Sequence, residues 1–154
     1  MRMAALEKDI ALGRPFSSPE EELYIQLLRT YSVTTQQVNR VYAGAGLTQS
    51  QYNALRILRG SRKWLSCDEI SSRMVAVDSD LTRILSTLKR RGLIERQQAE
   101  HDRRAVLNRI TSSGLAVLAE LDAAVDAIIL KVFGALSAKE IRSTTLGLAK
   151  LATG

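Results

Sequence analysis

Four pairs in which a Ser or Thr is followed three residues later by Glu or Gln read as helix starts in this chain: Ser18 with Glu21, Thr48 with Gln51, Ser66 with Glu69, and Ser137 with Glu140. In such a capping box the hydroxyl accepts from the third backbone N–H of a helix while the longer side chain reaches back to the N–H of the cap itself. Each pair therefore marks a helix start. The only prolines, Pro15 and Pro19, lie beside the first of these starts, so nothing after Glu20 forbids long helices. The expectation is a mainly helical fold.

The spacing of apolar residues fills in the elements. Pro19 at the favoured first helical position, three glutamates, and then Tyr24, Leu27, Leu28, Tyr31, Val38, Val41 and Tyr42 predict one long amphipathic helix ending near Gly44 or Gly46. A second helix runs from Thr48 to about Arg59, with Gly60 as its stop signal, and a third follows Ser66 and carries Ile70 and Met74. A fourth, over about 78–91, repeats Leu81, Ile84, Leu85 and Leu88 on one face and presents Ser79, Thr82, Arg83, Ser86 and Arg90 on the other. Beyond Gly92 the pattern suits a two-stranded hairpin, a wing over about 93–111. Helix returns over 112–133, where Leu118, Leu121, Val125, Ile128 and Val132 form a heptad seam that predicts a dimer interface, and a last helix follows Ser137.

Composition excludes several classes of function. One Cys and one His allow neither a disulfide framework nor a zinc site within one chain, and no cofactor is expected. A catalytic triad or Cys–His pair would depend on His101, which the hairpin separates from any nucleophile, and there is no Gly-rich phosphate loop; no enzyme is expected. No apolar run is long enough to span a membrane, and Glu7, Lys8 and Asp9 interrupt the amino terminus, so the expectation is a cytoplasmic protein.

Charge points to a partner. The net charge is +6, and between Leu81 and Thr111 eight basic residues face three acidic ones, a net +5. Short helices followed by a hairpin can set the last helix in the major groove of double-stranded DNA while the hairpin reaches the adjacent minor groove. RNA is the weaker partner, because the basic segment has no aromatic residue on which a base could stack.

The stretches LTQSQYNALRILRG, SCDEISSRMVAVDSDLTRILSTLKRRGLIER and DRRAVLNRITSSG resemble the MarR (multiple antibiotic resistance regulator) family of bacterial transcription factors, over roughly residues 20 to 150. The resemblance implies a winged helix-turn-helix over 47–111 and a dimerisation region made of 18–46 with 112–154, residues 1–17 forming an arm. It implies a homodimer on a pseudo-palindromic operator, with recognition helices about 34–36 Å apart. Ser79, Thr82 and Arg83 then lie closest to base edges, with Ser86 on the same face, while Lys89 and Arg90 serve phosphates. Ser50 or Gln49 could add a phosphate contact at the amino end of the second helix.

In the wing the resemblance implies that Asp102 and Arg104 brace the hairpin, with Arg103 reaching the minor groove and Arg96 behind it; the tip sequence AEHD lacks the extra arginine of many members. Asp80 either accepts from a cytosine or complements the helix dipole and orients Arg83. A small aromatic or phenolic effector is implied, with Tyr24, Arg29, Tyr31, Tyr52 and Trp64 as candidate contacts against a plain core role for the aromatics. Cys67, beside the cap Ser66, is read either as packing or as a redox switch. A winged-helix interaction module without DNA binding is the remaining alternative.

Overall fold

A computed structural model of the chain describes residues 13–76, 80–99 and 105–152. Among the described residues six helices and three strands follow one another as α1 (Pro19–Gly44), α2 (Gln49–Ser61), β1 (Leu65–Ser66), α3 (Cys67–Ser71), α4 (Leu81–Arg90), β2 (Ile94–Gln98), β3 (Val106–Ile110), α5 (Ser112–Phe133) and α6 (Ala138–Ala152). The chain divides into two compact units that part within α1, after Gln37. No helix among the described residues is long and apolar enough to cross a membrane.

In the first unit Ser18 accepts from the Glu21 N–H at 3.2 Å, as the capping box requires. The return arm is different. The Glu21 carboxylate pairs with Arg14 and accepts from the Ser17 N–H at 2.7 Å, and these donors, Arg14 foremost, hold its pKa down to about 2. Along this part of α1 Leu23, Tyr24, Leu28 and Tyr31 are exposed.

In the second unit the other three boxes close with both arms, at Thr48/Gln51, Ser66/Glu69 and Ser137/Glu140. The core gathers Tyr42, Leu55, Leu58, Ile70, Leu85, Leu88, Ile94 and Leu118 from six of the nine elements. Arg59 of α2 grips Asp122 of α5 bidentately, at 2.7 and 3.2 Å.

Several expected boundaries move. Gly60 lies inside α2, which stops instead where Arg62 turns left-handed (φ 54°) and its N–H donates to Leu58. Helix α3 closes at Ser71, so Met74 packs on the core from beyond it. The expected two-stranded hairpin gains a third strand, in the order β1-β3-β2, all antiparallel. Strand β1 has only two residues, and the buried Asn108 of β3 reinforces it by donating from Nδ2 to the Leu65 carbonyl at 3.2 Å.

The heptad seam is also corrected. Leu118, Leu121 and Val125 are buried in the chain's own core, and Ile128 and Val132 are half-buried. A 3-4 spacing over two heptads suits a helix lying on its own core as well as one facing a partner. The exposed apolar residues are others: Ile129, Leu130 and Phe133 on α5, and Ile141, Leu146, Leu148 and Leu151 on α6. Helix α6 buries none of its residues.

The start of α5 is packed without slack. A Cβ on Gly114 would lie 2.2 Å from the Leu93 carbonyl oxygen and 2.7 Å from Ile110 Cγ1. The carbonyl is fixed by its own bond from the Thr111 N–H, so it cannot yield. Gly114→Ala should lower stability by about 1–3 kcal/mol, the usual cost of overpacking, in urea denaturation followed by circular dichroism. Gly60→Ala, where nothing lies within 4 Å of the new methyl, should not destabilise.

Candidate nucleic-acid interface

Helix α4 buries Leu81, Leu85 and Leu88, spaced so that the intervening residues turn outward. Thr82, Arg83, Ser86, Lys89 and Arg90 are exposed in consequence. The helix begins at Leu81 rather than near 78; Val77, Asp78 and Ser79 lie outside the described residues, and the Ser79 assignment with them. Asp80 is the N-cap residue but makes no side-chain cap. Its carboxylate instead accepts from Arg83 Nη1 at 3.3 Å, the orienting role that was one of its two readings. The pair is solvent-exposed and so weak, about 0–1 kcal/mol, which leaves Arg83 available to a stronger acceptor.

A groove of about 530 Å³ runs between the first turn of α2 and α4. Thr48, Ser50 and Gln51 line one side, and Arg83, Thr87 and Arg90 the other. The capped start of α2 and the basic face of α4 thus share one surface.

The remaining basic residues are differently employed. Arg96 of β2 donates from Nη1 to Ser86 Oγ at 3.2 Å, and that hydroxyl donates to the Thr82 carbonyl at 2.8 Å. Arg96 Nε is buried with no partner among the described residues. Two residues expected to face DNA are therefore engaged with each other, tying the wing to α4. Arg109 of β3 pairs through Nε with its cross-strand neighbour Glu95 at 2.7 Å, and its guanidinium lies 4.5 Å from the centre of the Trp64 ring. Arg103, Asp102, Arg104 and His101 lie outside the described residues.

Arg91 is a residue that the sequence reading missed. Its Nη1 donates to the Gly46 carbonyl at 2.6 Å and Nη2 to Ala45 at 3.1 Å, so it clamps the turn after α1 rather than facing outward with Lys89 and Arg90. The signal was its place: Arg91 stands three residues after the buried Leu88, at the C-cap just past the end of the helix, from where its side chain reaches the turn after α1.

The candidate effector contacts do not behave alike. Tyr24 and Tyr31, in the first unit, are 60% and 59% exposed, and Arg29 is half-buried. Tyr52 is core, its ring stacked on Tyr42 with centroids 4.3 Å apart, and burial pushes both phenols up in pKa. Trp64 is half-buried beneath Arg109. Cys67 is half-buried and packs against the core. Among the described residues no group of three or more His, Cys, Asp or Glu could hold a metal ion.

The family model that matches is the MarR family, over residues 47–106. A MarR transcription factor from Planctomyces limnophilus is 31% identical, with 88% of this chain and 98% of that one covered and a TM-score of 0.70. A putative MarR-like transcription regulator from Bacillus cereus is 19% identical, with 87% and 96% covered and a TM-score of 0.79. BpsR from Bordetella bronchiseptica, whose DNA binding is regulated by 6-hydroxynicotinic acid, is 23% identical, with 85% and 98% covered and a TM-score of 0.76. Among curated proteins there is no significant match.

The Arg96–Ser86 bond generates a prediction. Arg96→Ala should speed amide exchange in Ile94–Gln98 and weaken DNA binding while leaving the slope of log affinity against log salt unchanged. A slope reduced by about one would make Arg96 a phosphate contact instead.

Proposed function

This chain belongs to the MarR family of transcription regulators, and from that premise we propose that two copies of it form a dimeric repressor that reads a pseudo-palindromic operator and is released by a small aromatic or phenolic ligand. The observation that carries the reading is the outward face of α4. Arg83 and Arg90 line the groove at the capped start of α2, and Thr82 and Lys89 stand exposed on the same short helix.

The roles divide by chemistry. An Arg can grip guanine O6 and N7 together, worth about 1–3 kcal/mol of discrimination, and a Thr hydroxyl can donate or accept at several bases. Thr82 and Arg83 are the base readers, with Ser79 ahead of them. Lys89 and Arg90 meet phosphates, as does the first turn of α2 at Gln49 or Ser50, because the amino end of a helix favours an anion. In the wing, Arg103 enters the minor groove, while Asp102 and Arg104 brace the hairpin.

The dimer reading is supported by α6, on which Leu146 and Leu151 remain 65% and 64% exposed. Apolar surface on a wholly exposed helix is what a second copy would cover. In this arrangement 18–46 with 112–154 form the dimerisation region and 47–111 the reading head. Control by an effector is supported by BpsR and 6-hydroxynicotinic acid; the ligand favours whichever spacing of the two heads it binds more tightly. Tyr24, Arg29 and Tyr31 remain its candidate contacts, while Tyr52 and Trp64 are occupied by the packing described above.

Footprinting on the DNA upstream of the chain's own gene tests the proposal, and a protected palindrome is the expected result; no protected site at any salt would overturn it. Within that assay Arg83→Ala should weaken specific binding by about tenfold or more and nonspecific binding far less, whereas Lys89→Ala should weaken both about equally. Equal losses from the two changes would remove the base-reading role of Arg83.

A further inference from the structure

A cleft at the root of the wing has no part in the DNA reading. It measures about 490 Å³ and opens between the end of α2, the end of β3 and the first turn of α5, with Arg59, Arg62, Arg109, Ile110 and Leu115 as its lining. Three arginines, one from α2, one from the turn that follows it and one from β3, thus line the cleft over an apolar floor, where Leu115 is 43% exposed.

Like charges gathered in one place need compensation. Arg59 has it in Asp122 and Arg109 in Glu95, but among the described residues Arg62 has no side-chain partner. Arg62 is also the one described non-glycine residue with positive φ, at 54°. A left-handed residue that closes a helix is usually Gly, or sometimes Asn, and the conformation costs other residues about 1–3 kcal/mol. The chain accepts that cost where it places an unpaired guanidinium at the cleft.

Arg109 complements it. Glu95 is bound through Nε alone, so the terminal amino groups remain as donors without a described partner, on a guanidinium already held against the Trp64 ring. A cation fixed in advance loses little freedom when it binds an anion. The lining therefore offers charge to a head group and apolar surface to what is attached to it.

We propose that this cleft binds an organic monoanion, a carboxylate joined to a compact apolar body, with the carboxylate held by Arg62 and Arg109 and the body lying on Ile110 and Leu115. Inorganic phosphate would leave the apolar floor uncovered. A neutral molecule would displace water from the guanidinium groups without replacing its hydrogen bonds. Because Arg109 also joins β3 to β2 through Glu95, an occupied cleft draws on a guanidinium that secures the hairpin.

The test needs no DNA, so it stands or falls apart from the repressor reading. Trp64 is the only tryptophan in the chain, and its ring touches one of the proposed ligands of the carboxylate. The full chain is titrated with cyclohexanecarboxylate while Trp64 emission and calorimetric heat are followed, beside cyclohexylmethanol and inorganic phosphate as the two half-molecules. The expected result is saturable binding of the carboxylate alone. Arg62→Gln should weaken it about tenfold or more, and Leu115→Glu, which sets a like charge on the floor, should abolish it, both with an unchanged melting temperature.

No saturable signal by either method would overturn the proposal, as would equal binding of the alcohol or of phosphate. Wild-type affinity in Arg62→Gln would place the carboxylate elsewhere and overturn it too.

Discussion

The second unit depends on a junction around Thr111, where four elements meet in a few ångströms. The Thr111 N–H donates to the Leu93 carbonyl at 3.1 Å, and its hydroxyl donates to the Gly92 carbonyl at 2.7 Å. The same hydroxyl accepts from the Gly114 N–H at 3.1 Å, which caps α5. One residue, through its backbone N–H and its hydroxyl, thus joins the turn after α4, the entry to β2, the exit of β3 and the start of α5. The arrangement requires that α5 approach Leu93 with no Cβ between them, and Gly114 meets that requirement. Because the wing and α5 leave from the same point as α4, the direction of α4 is bound to that of the long helix that follows the wing.

Arginine is used on this surface for two purposes that its charge alone does not distinguish. Arg91, Arg96 and Arg109 act through geometry: a planar group with several donors can bridge elements, and each of the three does so, to the turn after α1, to α4 and to Trp64 with Glu95. Arg83, Lys89 and Arg90 are exposed on α4 and remain available to an outside anion. The division follows the helical period. An arginine at the end of α4 or in a strand packed against it finds carbonyls and hydroxyls nearby, whereas Arg83, Lys89 and Arg90 on the outward face are exposed, Arg83 in a weak pair with Asp80. A basic segment with net +5 therefore contributes fewer free cations to DNA than its count suggests.

The apolar residues show the same separation of composition from placement. Leu118, Leu121 and Val125 are committed to the core, yet α6 exposes its leucines, and the far end of α5 exposes Ile129, Leu130 and Phe133. A helix of 15 residues is marginal alone in water. With none of its side chains buried in the chain, α6 owes its order to its capping box, its propensity and whatever covers that apolar surface.

Helix starts were legible in the sequence because a capping box is local: its two residues lie three positions apart and satisfy each other's backbone whatever the rest of the chain does. Three of the four close as read, and the mainly helical fold with its wing, and the outward face of α4, followed from the period of the leucines. What the sequence could not carry was any contact whose partners are far apart along the chain. Strand β1 is too short to show a pattern and exists because Asn108 and Leu107 of β3 pair with it. Arg91 became a clamp because Ala45 and Gly46, some 45 residues earlier, present their carbonyls to it. Whether the α5 seam faced inward or outward was likewise decided by tertiary packing, since one spacing serves both. Local hydrogen bonding and periodicity determined the elements; long-range packing decided which charges and leucines remained for a partner.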